Sequence, residues 1–289
     1  MKYEIDADGV LHCVLGELSY NDFDKSGRIS VWKLLKLIEG AHKALNQSGI
    51  RINLRSFGIL TFIRAQFLQV YPAFYTSKLT QNRALDITST LSHLGSTSYC
   101  LDTDMYDLST KTLLASGSVH GVFVSEQTRR PSPVASMAWQ RAKVIIPRDQ
   151  RPISGPDFPA RPIGTLCFTQ TRTVMSSDTD ANDHLNQAMF IRFCFDCASS
   201  AALDGHLPSF RKDVIYADAK TVWFLYVREA RVGEELSLYC WEDRNLSRTL
   251  WVEMCQESQV IGQCQIQFYE DGLTRSTSEP DGGLTLAKL

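Results

Sequence analysis

The sequence has no long run of positive charge and no long run of apolar residues. Its 30 Lys and Arg are set against 32 Asp and Glu, for a net charge of −2. A main partnership with nucleic acid is therefore excluded, because binding a phosphate backbone needs clustered cations. No stretch approaches the roughly 20 apolar residues that span a bilayer. The opening MKYEIDADGV lacks the basic and then apolar pattern of a secretory signal. One CxxC is present, Cys194 to Cys197, but no second pair completes a zinc site. No set of His, Cys and acidic residues has metal-ligand spacing, so neither a metal nor a cofactor is expected. The eight cysteines stand mostly alone in apolar segments, which reads as reduced, buried, intracellular thiols.

What the chain does have is a repeat. An offset of 156 positions carries Asp178 onto Asp22, and lays Ser176 to Leu203 over Tyr20 to Gln47. Asp180 then falls on Asp24, Asn182 on Ser26, His184 on Arg28 and Asn186 on Ser30. Each copy is an acidic turn, a small polar residue suited to cap a helix, and a strongly apolar helix, expected over residues 31–45 and 187–203. Helices with apolar residues on most faces, such as Trp32, Leu34, Leu35, Met189, Phe190 and Phe193, should be enclosed by other structure. Strand-like segments follow each helix: four between Gly58 and Glu126, and four between Ala219 and Glu270. The closing hairpins correspond too, Gly117 with Gly262 and Phe123 with Phe268. The expected fold class is α+β, with a first repeat over 1–126, a proline-rich linker over 127–164, a second repeat over 165–271 and a flexible tail over 272–289. Seven of the ten prolines lie between Arg129 and Pro162, which disfavours regular structure there. Trp139 and Val144 to Ile146 suggest that the linker packs along the surface.

A helix wrapped by an antiparallel sheet describes the hot-dog fold. The motif SDTDANDHLNQAMF, residues 177–190, resembles the catalytic loop of its thioesterase branch. The nearer resemblance is to plant and bacterial acyl-ACP thioesterases, which join two hot dogs in one chain and whose first repeat carries a degenerate acidic turn. The likeness extends over both repeats and is specific at the second loop and at YVREA. It implies a fatty acyl thioesterase with catalytic residues Asp180, Asn182, His184 and Glu229, the last delivered by a strand after the helix. Relatives with a cysteine after that glutamate differ here, since the position is Ala230. Carboxylates must then carry the reaction.

Such a site needs a nucleophile for the carbonyl carbon and donors for the oxygen that becomes negative. The start of the second helix, near Asn186 to Ala188, offers unpaired N–H groups at the positive end of the dipole. Asp180 itself or a water attacks, with His184 and Asn182 orienting it and Glu229 acting as base or fixing the histidine. These alternatives remain open at this point. Asp178 and Asp183 read as turn formers, and His42, His93, His120 and His206 as ordinary surface or packed residues. The apolar first repeat is suited to line an acyl tunnel. Arg64, Arg83, Arg228, Arg231 and Arg244 are candidates for a carrier phosphate.

The expected partners are an acyl-CoA or acyl-ACP substrate, a second copy in a homodimer, and a peroxisomal import receptor. The last expectation rests on Ala287, Lys288 and Leu289, a variant of the Ser-Lys-Leu import tripeptide. Without that address the protein would be cytoplasmic. Acyl-CoA is the favoured substrate, acyl-ACP the alternative. A catalytically silent acyl-CoA-binding protein is the rival of a different class.

Overall fold

The structure is a computed structural model that describes residues 2–7, 9–16, 18–47, 52, 54–77, 79, 83–133, 153–164 and 167–271. Trp139, Val144 to Ile146 and the terminal Ala287, Lys288 and Leu289 lie outside the described residues.

Eleven strands form one sheet. They are β1 (Lys2–Ile5), β2 (Leu11–Leu15), β3 (Ile59–Val70), β4 (Leu85–Leu94), β5 (Ser98–Asp107), β6 (Leu113–Ser125), β7 (Phe168–Thr173), β8 (Ala219–Tyr226), β9 (Glu235–Glu242), β10 (Thr249–Gln256) and β11 (Gln259–Phe268). Two long helices, α1 (Val31–Gln47) and α3 (Gln187–Leu203), lie against it, with a short helix α2 (Pro72–Thr76) between β3 and β4. Within the described residues no helix is long and apolar enough to cross a membrane.

The sheet order β1-β2-β4-β5-β6-β3-β8-β11-β10-β9-β7 displays the repeat directly. Reading outward from the middle, β3-β6-β5-β4-β2 in one half matches β8-β11-β10-β9-β7 in the other. At the seam β3 and β8 run antiparallel, pairing Ala65 with Leu225 and Gln69 with Thr221. The Phe67 and Trp223 rings stack across it, 4.6 Å between centroids. The expected α+β architecture of two tandem hot dogs is therefore present, joined edge to edge into a pseudo-dimer. Strand β1 and helix α2 are additions that the sequence pattern did not indicate.

Alternation builds the strands. In β4 and β6 buried and half-buried residues alternate, as in a sheet with one face on a helix and the other toward solvent. Strand β10 departs from this, with Thr249, Leu250, Trp251, Val252, Met254 and Cys255 all buried. The linker covers its second face: Phe158 packs edge-on against Trp241 and Trp251, at 5.7 and 5.0 Å, and the Arg161 guanidinium lies 3.7 Å above the Tyr239 ring.

Helix α3 is enclosed as its composition requires, with Phe193, Cys194, Cys197, Ala198 and Ala201 all fully buried. Phe193→Ala would cost about 3–5 kcal/mol. Helix α1 is more amphipathic than expected. Leu34, Leu35 and Ile38 are buried, while Lys36 and Lys43 face solvent. The physical reason is its position: the sheet covers one side of α1, and its far side is left to lysines. Gly262 lets β11 pass close to a neighbouring ring, since a Cβ there would sit 2.6 Å from the Phe224 ring.

All eight cysteines are free, and only Cys167 is less than buried. Burial pushes the Cys194 and Cys255 thiols up, and Cys167 up to about 11. The CxxC pair thus belongs to the core face of α3.

Candidate active site

The loop before each long helix is built the same way. In the second copy Asp178 is buried, and its Oδ2 accepts the Met175 N–H at 3.0 Å. Asp22 accepts the Ser19 N–H at 2.8 Å in the first. Asp180 N–H donates to the His184 carbonyl at 2.8 Å, as Asp24 N–H does to Arg28, also 2.8 Å. The left-handed position of the turn is Gly27 (φ +77°) in one loop and Asp183 (φ +58°) in the other. Asp residues tolerate that conformation. Asp178 and Asp183 are therefore turn formers, as read from the sequence.

Asp180 is also held by the turn. Its Oδ1 accepts the Asn182 N–H at 2.7 Å, and Asp24 accepts the Ser26 N–H at 2.8 Å in the copy that lacks the histidine. The Asn182 side chain is exposed, and its Oδ1 accepts from Arg55 Nη1 of the first repeat at 3.0 Å.

His184 lies half-buried, its Nε2 3.3 Å from Glu229 Oε2. Backbone contacts hold the two segments together: Leu185 N–H donates to the Ala230 carbonyl at 2.7 Å, and His184 forms a β-bridge with Arg231. Glu229 does not lie on a strand, contrary to the expectation. β8 ends at Tyr226, and the N–H groups of Val227 and Arg228 both turn to the Ile261 carbonyl, at 2.9 and 3.1 Å. Two donors sharing one acceptor break the ladder there, and this turns Glu229 toward the loop.

Glu229 also accepts from Arg129 Nη2, at the start of the linker, at 2.9 Å and from Arg231 Nη2 at 3.2 Å. Partial burial pushes its carboxyl up, but His184, Arg129 and Arg231 outweigh burial and hold it below the usual range. A carboxylate matched by so many cations is a weak base, so its geometry suits fixing the imidazole.

At the start of α3 Asn186 is the N-cap. Its Oδ1 accepts the Ala188 N–H at 2.9 Å, and its carbonyl takes the Met189 N–H at 2.9 Å. The expected oxyanion region narrows accordingly. Of the first-turn donors Ala188 and Met189 are spent, and Gln187 N–H has no partner among the described residues.

In the first repeat the matching position holds Arg28. It pairs with Asp218, donates to the Tyr216 carbonyl at 3.4 Å and lies over the Tyr75 ring. That loop is a clamp between the halves. Arg64 also bridges them, donating to the Tyr226 carbonyl at 2.7 Å, whereas Arg83 lies beside Asp107 and Ser109 in the first repeat. Arg228 bonds Gln259. Arg55 and Arg129 carry no motif in the sequence: Arg55 opens a short 3-10 helix in the first repeat, Arg129 follows β6 at the start of the linker, and each meets the site only through folding. His42 bonds Thr103 Oγ1 at 2.8 Å, a packed residue as expected.

No protein-family model matches the sequence, and no curated protein does. Solved structures do. An acyl-ACP thioesterase from Bacteroides thetaiotaomicron is 15% identical, with a TM-score of 0.70, and the match covers 90% of this chain and 98% of that one. The 12:0-ACP thioesterase from Umbellularia californica is 12% identical, with a TM-score of 0.72, covering 90% and 94%. At such identity the likeness is one of fold, and it spans both repeats: this chain has the double hot-dog fold that those thioesterases have.

Proposed function

We propose that the protein hydrolyses a fatty acyl thioester, most readily acyl-CoA, to the free acid and a thiol. The observation that carries this reading is the asymmetry of the two loops. Both keep the turn, but only the second places an imidazole 3.3 Å from a glutamate beside a helix N-terminus. The structural neighbours named as acyl-ACP thioesterases support it.

In this reading the thioester carbonyl oxygen rests at the Gln187 N–H, where the helix dipole favours developing negative charge. His184, fixed by Glu229, orients the attacking group. Asn182 and Asp180 hold the loop that carries the histidine. Arg55, Arg129 and Arg231, which bond Asn182 and Glu229, suit a carrier phosphate. No cysteine is available beside Glu229, because the residue is Ala230, fully buried.

The test is free-thiol release by the purified protein from acyl-CoAs and acyl-ACPs of graded chain length. Turnover with acyl-CoA supports the reading as stated, and turnover confined to acyl-ACP moves the carrier. Tight acyl binding with no turnover on either would replace the enzyme by a binding protein.

A further inference from the structure

The internal repeat gives each half the same set of positions against the other, so a polar group present at only one of two matching places is not explained by the scaffold. Such a set gathers at the start of α3. Asn186 Nδ2 donates to both carboxylate oxygens of Glu39 on α1, at 3.0 and 3.1 Å. The Tyr226 hydroxyl lies 2.8 Å from Gln66 Oε1 and 3.0 Å from the Gln187 carbonyl. Burial pushes its phenol well above the usual range, so it stays a donor.

At the matching place these groups are gone. The offset that aligns the helices puts Phe195 opposite Glu39, Ser30 opposite Asn186 and Val31 opposite Gln187. Gly117 pairs with Leu68 and Gly262 with Tyr226, so Leu68 matches Tyr226 and Phe224 matches Gln66. The polar set exists only beside the loop that carries His184.

Two further observations show that the set is incomplete as it stands. Gln66 is 2% exposed and its Nε2 has no hydrogen-bond partner among the described residues, nor has the buried Gln187 Oε1. Buried polar atoms are normally satisfied, and an exception points to a missing water or ligand. Glu39, half-buried, forms no ion pair among the described residues; its bonds are to an amide. Glu229 is bonded by two guanidinium groups, whereas the Glu39 carboxylate faces only the Asn186 amide.

We propose that Glu39, supplied across the seam by the half without the histidine, is the catalytic base. This rests on the thioesterase reading. The Glu39 carboxylate takes a proton from water as the water oxygen bonds to the carbonyl carbon, and the C=O π pair moves onto the oxygen at Gln187 N–H. When C=O reforms, the C–S bond breaks and the departing thiolate takes the proton back from Glu39. The products are the acid and the thiol, with Glu39 again ionised. Gln66 and Gln187 hold the water or the amide groups of the thiol arm.

The test compares Glu39→Gln with Glu39→Asp in the full chain on the best thioester. Gln keeps the length and an acceptor for Asn186 but cannot take the proton, whereas Asp is shorter but can. The expected result is a kcat lower by about 10²–10⁴ in Glu39→Gln, with KM little changed and Glu39→Asp clearly faster than Glu39→Gln. A Glu39→Gln enzyme as fast as wild type, or faster than Glu39→Asp, overturns the proposal. Should either variant fail to fold, carbodiimide labelling of the wild type decides: a thioether analogue of an acyl-pantetheine shields Glu39 if the carboxylate sits at the reacting carbon, and unchanged labelling overturns the assignment. A wild type inactive on every thioester would sink the thioesterase reading itself. An active wild type, silenced by His184→Ala but not by Glu39→Gln, would sink this inference alone.

Discussion

Glu229 joins two guanidinium groups and the His184 imidazole, and its carboxyl accordingly titrates below its ordinary range. A carboxyl depressed in the folded state contributes stability that is complete above its unfolded pKa, about 4.3, and is lost as pH falls through the lower folded value. Glu229→Gln should therefore lower the melting temperature at pH 7 and make little difference at a pH well below 4. The group is partly solvated, so the effect at neutral pH is about 1 kcal/mol or less. Equal melting shifts at both pH values would contradict the assigned pairing. Asp180 poses a different question at this scale, because its twin Asp24 makes the same turn where no chemistry is expected. The motif letters alone do not separate a turn aspartate from a catalytic one. The bond from Asn182 N–H shows that one oxygen is already committed to the loop.

Helix α3 depends on Asn186 twice, as cap through Oδ1 and as a link to α1 through Nδ2. Asn186→Ala should cost about 1 kcal/mol for the lost cap and further stability for the donor removed from Glu39. Thermal or urea unfolding of the variant would show this, and a change within error would mean that the cap is replaced by solvent. The element scale is also where the sequence was most readable. Both loops and helix starts keep one fixed offset, and alternating burial marks β4 and β6 clearly. Helix α1 was less legible, since no motif singles out Glu39, its one acid among three lysines. Its meaning comes from Asn186, 147 residues away in the chain. Glu229 was expected on a strand and lies beyond one, because a shared carbonyl, rather than any side-chain pattern, ends β8.

The whole molecule is held by edge pairing of β3 with β8, with Arg28–Asp218 and Lys25–Asp213 as ion pairs across the halves. Nothing in the order of residues announces which strand edges meet, so the repeat was legible while the seam was not. The seam has a direct consequence. A fragment of residues 153–271 would leave the N–H and C=O groups of β8 unpaired along an apolar edge, and it should self-associate into a dimer through that strand. Sedimentation of the fragment checks this, and a folded monomer would contradict the role given to the edge. At the same scale the two halves divide the labour unequally, with the second loop carrying chemistry and the first a clamp. The most direct measurement is kcat for thioester hydrolysis by wild type, His184→Ala and Arg28→Ala side by side, each checked for folding. A loss of about 10²–10⁴ in His184→Ala, with Arg28→Ala near wild type, is the predicted result; a folded His184→Ala enzyme that keeps its full turnover would contradict the account.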